Sequence, residues 1–224
     1  MRRFVRDNSL SLFFLALFVL ALLGESIAGY NVYSHEQLDH DLPTISYFRF
    51  LVSSDFGANV LENWQSEWLQ FWLFALATVW FVQKGSNESK KQEDAGLETD
   101  ERQRVGPHAP EDAPRWAKTR DWRLTVYSYS FTIVMGAIFL ATWLGQSVTS
   151  LSVYNDEQVA HGEPESSWGT YVTSSDFWER SLQNWQSEFL AVGTMAVFTV
   201  YLRQRGSPES KPVGAPHTET GSSG

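Results

Sequence analysis

Four stretches of nearly unbroken apolar residues, at 10–23, 68–82, 131–144 and 189–202, constrain this chain more than any other feature. Each uninterrupted core is only about 14 residues, but tolerable flanks extend each to roughly 20, enough for a helix to cross about 30 Å of hydrocarbon. Polar residues gather between the runs, so the slightly negative mean hydropathy of the whole chain is compatible with membrane spans. The fold class expected is an all-α membrane protein with four transmembrane helices. If the N-terminus is cytoplasmic, only Arg49 and Arg180 of the 17 Lys and Arg fall outside. So one-sided a distribution follows the positive-inside rule and puts both termini in the cytoplasm.

The chain also repeats itself. Shifted by 121 residues it lies on itself without a gap, and about 29 of the 67 positions from 24 to 90 are identical in the second copy. NWQSE occurs at 63–67 and 184–188, SSDF at 53–56 and 174–177, EQxxH at 36–40 and 157–161, and GSxESK at 85–90 and 206–211. Two spans per copy make parallel tandem repeats related by a pseudo-two-fold axis along the membrane normal. The expected organisation is a first two-span repeat at 1–90, a flexible cytoplasmic linker at 91–120, a second repeat at 121–206 and a disordered cytoplasmic tail at 207–224. The basic start, the first apolar run and Ser26-Ile27-Ala28 also resemble a cleavable signal. The counterpart of that run in the second copy is internal, which argues for a retained span.

The outer loops carry start and stop signals for short helices. Ser34 with Gln37, and Asn155 with Gln158, fit capping boxes, with Pro43 and Pro164 beyond their ends. Ser54 and Ser175 are expected N-caps of the second spans, with Asp55 and Asp176 at the positive end of the helix dipole. GSxESK reads as a helix stop with Gly85 or Gly206 near the C-cap.

Counting back about 20 residues from Gln83 puts the outer hydrocarbon boundary near Asn63. Glu67 then lies about 6 Å inside it, and the same count places Glu25, Glu188 and Gln146 at a similar depth. Asn63, Ser66 and Glu67 share a helix face by spacing, as do Asn184, Ser187 and Glu188. These eight residues form the expected polar cluster, with the two NWQSE faces meeting across the pseudo-axis. A charge at mid-membrane costs roughly 3 kcal/mol on insertion scales, so such groups face protein or water. Two readings follow: an interhelical hydrogen-bond cluster that sets helix register, or a polar cavity lined by Glu25, Glu67 and Glu188 through which a small solute or ion passes. A third assignment is a divalent-metal site made by the i, i+4 pairs Glu36–His40 and Glu157–His161, if the axis brings them together.

The absence of cysteine excludes disulfides and cysteine-ligated metals. No histidine lies within a span to ligate haem, no phosphate-binding glycine loop or GxSxG elbow is present, and no basic stripe suits nucleic acid. Proline is missing from all four runs, and two spans per copy are few for a broken-helix transporter. Trp64, Trp68, Trp143 and Trp185 fit an aromatic belt at the outer boundary, and Gly24 and Gly145 fit close helix approach.

The doubled pattern EQxxH, SSDF, NWQSE(F/W)L and GSxESK resembles a bacterial family of uncharacterised membrane proteins defined as a domain of unknown function. The resemblance covers nearly the whole chain. It implies the bacterial plasma membrane and brings no activity or cofactor. The function expected is structural or accessory, with no cofactor; the alternatives are the solute or ion pathway and a metal-binding sensor or enzyme that uses the Glu–His pairs. The expected partners are the lipid bilayer and a protein at the outer face, with no nucleic acid.

Overall fold

The computed structural model describes residues 2–221. Among them the chain is all-helical. In order come α1 (Arg2–Asp7), α2 (Ser9–Asp39), α3 (Tyr47–Phe50), α4 (Ser54–Trp80), α5 (Trp122–Ser128), α6 (Ser130–Ala160), α7 (Trp168–Tyr171) and α8 (Ser175–Tyr201). Adding 121 to the bounds of α2, α3 and α4 reproduces those of α6, α7 and α8. Between α4 and α5 the chain makes three short 3-10 turns.

Two of these helices, α2 and α6, are long and apolar enough to cross a membrane. α4 and α8 fall short by that measure, because the NWQSE stretches occupy the first half of each and leave apolar runs only at 68–82 and 189–202. The expected short helices starting at Ser34 and Asn155 do not form. α2 and α6 continue through those positions, since nothing in either sequence interrupts them before residues 39 and 160. The short helices in these loops are instead α3 and α7, four residues each.

Serines start α4 and α8 one position earlier than expected. Ser53 Oγ accepts the N–H of Phe56, and Ser174 Oγ that of Phe177, both at 3.3 Å. Asp55 and Asp176 lie in the first turns, at the positive end of each helix dipole. The GSxESK motifs build the opposite ends. Gly85 and Gly206 adopt φ of +87° and +82°, a region that glycine occupies without strain. Ser89 Oγ then accepts from the N–H of Gln83, and Ser210 Oγ from that of Gln204, both at 2.9 Å.

The described chain divides into two compact units. One comprises residues 1–60 with 149–165. Its centre is Phe50, 1% exposed, which α3 pushes against Gly29, Tyr30, Tyr33 and Phe56. The Tyr47 hydroxyl meets Ser26 Oγ at 2.7 Å and Tyr30 donates to the Ile45 carbonyl at 2.9 Å, pinning the loop to α2.

The other unit comprises residues 61–148 with 166–224. An aromatic stack of Trp72, Phe139, Trp143 and Phe177, with centroids 5.6–5.8 Å apart, joins α4, α6 and α8. Gly145 lets Leu61 approach closely, whereas Gly24, in the other unit, has open space around it. Lys211, 1% exposed, holds the tail: its ammonium donates to the carbonyls of Gly85, Pro216, His217 and Glu219 at 2.6–3.2 Å. Burial, followed by the neighbouring Arg203, pushes the Lys211 ammonium below the usual lysine range.

Gly136 and Gly193 test this packing. A Cβ on Gly136 would sit 2.9 Å from Trp72 Nε1, while one on Gly193 would meet nothing within 4 Å. Gly136→Ala is expected to cost about 1–3 kcal/mol by displacing the ring. Gly193→Ala is expected to be neutral or to stabilise by up to about 1 kcal/mol. Thermal unfolding in neutral detergent compares the two, and a lower Tm for Gly193→Ala would contradict the stack.

Candidate functional site

An α-helix turns about 100° per residue, so residues at i, i+4, i+7 and i+11 form one stripe. In α4 the stripe Ala58, Glu62, Gln65, Leu69 points inward, with Ala58, Gln65 and Leu69 buried. In α8 the corresponding stripe is Phe177, Ser181, Asn184, Glu188, with Phe177 and Ser181 buried. These stripes decide which polar side chains meet.

Within the second unit side-chain contacts join α4 to α8. Trp185 Nε1 donates to Gln65 Oε1 at 2.8 Å, Asn184 Nδ2 donates to Glu62 Oε1 at 3.2 Å, and Ser66 Oγ lies 3.5 Å from Glu188 Oε1. Arg180, 3.7 Å from Glu62 and 3.2 Å from Asp176, adds charge to the same network. From α6, Trp143 Nε1 donates to Ser181 Oγ at 3.1 Å. Gln65 and Ser181 are both fully inaccessible, and buried groups of this kind are costly unless bonded.

Of the eight residues expected in the cluster, Ser66, Asn184 and Glu188 take part, and Gln146 is buried in α6. Asn63, Glu67 and Ser187 lie on exposed faces. Ser187 donates to the Asn184 carbonyl of its own helix. Glu25 is exposed and belongs to the first unit. The expected face of α4 was Asn63, Ser66 and Glu67; the observed one is rotated back by about one residue, toward Glu62 and Gln65. Glu62, Gln65, Arg180 and Trp185 were therefore missed. The seven-residue spacing of Glu62 to Leu69 and of Ala58 to Gln65 was a signal for the two on α4; Arg180 and Trp185 lie off the α8 stripe and had none.

The rotation also separates the two NWQSE copies. Gln65 and Ser66 of the first are buried, while Gln186 and Ser187 of the second are exposed. Trp185 enters the aromatic stack, with its centroid 5.5 Å from that of Trp143, whereas Trp64 is 37% exposed. Trp143 and Trp185 are half-buried and pack against each other, because α6 offers rings to stack against.

Among the described residues no three His, Asp or Glu form a group that could hold a metal ion. Glu36, His40, Glu157 and His161 all lie exposed near the ends of α2 and α6, so the four-ligand site is not assembled. The His161 ring instead meets the Glu157 carbonyl through Nδ1 at 2.8 Å.

Trp185→Phe removes the donor to Gln65 and leaves a buried amide oxygen unpaired, at an expected cost of about 1–3 kcal/mol. Replacing both partners, in Trp185→Phe with Gln65→Leu, is expected to regain most of that loss. Unfolding of the three proteins in detergent measures the difference; equal stability of Trp185→Phe and wild type would remove the bond from the account.

No curated protein and no solved structure matches the chain. A family model does, over residues 1–222. With a match that runs nearly end to end, the chain belongs to the family described as a domain of unknown function (DUF6766).

Proposed function

We propose that this chain is an integral protein of a bacterial plasma membrane, crossing it four times with both termini in the cytoplasm, and that its role is structural or accessory. The accessory reading is carried by one observation: the polar side chains of α4 and α8 are spent on one another, through Trp185–Gln65, Asn184–Glu62 and Arg180–Glu62. Groups paired in this way set helix register and leave few free ligands for a passing ion. A surface for a protein partner is supplied by length. The 31 residues of α2 run about 46 Å, well beyond about 30 Å of hydrocarbon.

Exposed apolar side chains support all four spans. Only 6% of the apolar window of α2 is buried, and large apolar residues are also exposed on α4 and α8, such as Phe71 and Trp80, Leu190 and Phe198. Surfaces of this kind suit lipid.

Because the chain has no cysteine, single-cysteine reporters give a clean topology test. Thr44→Cys and Ser166→Cys are expected to react with an impermeant maleimide from outside intact cells, and Asp112→Cys only after permeabilisation. If only α2 and α6 cross, Asp112→Cys is labelled from outside and Ser166→Cys is not, which would overturn the four-span topology. For the role, Glu62→Gln with Glu188→Gln is expected to lower Tm in detergent. Proteoliposomes holding the wild type are expected to pass monovalent ions no faster than empty vesicles. A variant as stable as wild type, together with a carboxylate-dependent flux, would favour the pathway instead.

A further inference from the structure

A groove of about 350 Å³ lies between the C-terminal halves of α4 and α8, within the second unit. It is lined by Gln70, Phe71 and Phe74 of α4, by Ala191, Val192 and Met195 of α8, and by Glu88 and Glu209 from the turns that follow these helices. Every residue of the first set has its counterpart 121 positions on in the second, the offset that relates the two NWQSE stretches. Equivalent positions of the two copies thus converge on one space, unlike the polar cluster, where the copies contribute different residues.

The charges in this groove are of one sign. No basic residue lines it, and the nearest lysines in sequence are already engaged: Lys90 with Glu98 at 2.8 Å, and Lys211 with four backbone carbonyls. Glu88 Oε1 is buried and has no hydrogen-bond partner among the described residues. Burial and the Glu209 carboxylate push the Glu88 carboxyl above its ordinary range. Glu88 also lines a larger neighbouring cavity, where Lys90 pairs with Glu98 and Arg102 with Asp94.

We propose that this groove binds a small hydrophobic organic cation, an ammonium with an aryl or alkyl body, its charge between Glu88 and Glu209 and its body against Phe71, Phe74 and Met195. The cation offsets the repulsion between the two carboxylates. The phenyl rings attract a cation through their negative faces, and the Met195 thioether adapts to an apolar body. A divalent metal is poorly served by two carboxylates among apolar walls. An anion would meet only like charge.

The test uses the full chain in a neutral maltoside detergent, titrated calorimetrically with benzyltrimethylammonium and, as an uncharged comparison, N,N-dimethylbenzamide. Wild type is expected to bind the cation saturably at one site, at least about tenfold more tightly than the amide. Glu88→Gln with Glu209→Gln is expected to lose that preference. Met195→Trp, which fills the groove and keeps both carboxylates, is expected to lose binding at least about tenfold and stands in should the double variant fail to fold. Absence of saturable binding by wild type, equal affinity for the amide, or binding unchanged in either variant overturns the proposal. Binding is read in detergent, so the outcome is independent of how many helices cross the membrane.

Discussion

Gln65, Ser66, Gln146 and Ser181 are as inaccessible as Phe50 or Tyr171, and the need to bond such groups governs the packing of the second unit. Apolar contact between helices is a weak guide to register, the more so in a lipid setting, because acyl chains satisfy leucine as well as another helix does. A buried amide or indole N–H is different: it finds its acceptor at one rotation and one axial position or not at all. Trp185 with Gln65, Asn184 with Glu62 and Trp143 with Ser181 each impose such a condition. Together they hold α4, α6 and α8 in one register. The stacked rings of Trp72, Phe139, Trp143 and Phe177 then fill the space that register creates.

The helix ends show how a short motif carries several tasks. Each GSxESK turn spends its glycine on a left-handed backbone step and its serines on local hydrogen bonds. The glutamate and lysine are left to act outside the turn. Lys90 and Lys211 secure the linker and the tail, while Glu88 and Glu209 reach the groove between α4 and α8. The turn that stops the helix therefore also places the two carboxylates.

Much of this was legible in the residues. The helices, the acidic first turns at Asp55 and Asp176, the stops at Gly85 and Gly206 and the shared offset of 121 all follow from interactions within a few positions along the chain. The departures have physical causes. α2 and α6 ran through the expected caps at Ser34 and Asn155, because a capping box is a preference that an already continuous helix outweighs. Glu62 and Arg180 carry no repeat signal, because their counterparts, Gln183 and Asn59, differ from them. Gln65 lies inside the repeated motif, and only the rotation of α4 sets it apart from Glu67.

The sequence by itself determined the helical elements, their ends and the pairing of one half with the other, since periodicity, capping and glycine geometry are local and two similar stretches make the same local choices. Only the tertiary structure decided which side of each helix faces inward. Two identical NWQSE stretches show this most directly: one buries its glutamine and serine, while the other packs its tryptophan into the aromatic stack. Their local chemistry is the same, so the difference comes from neighbours. Phe139 and Trp143 on α6 offer rings to Trp185, and Gln65 on α4 offers the oxygen its N–H requires.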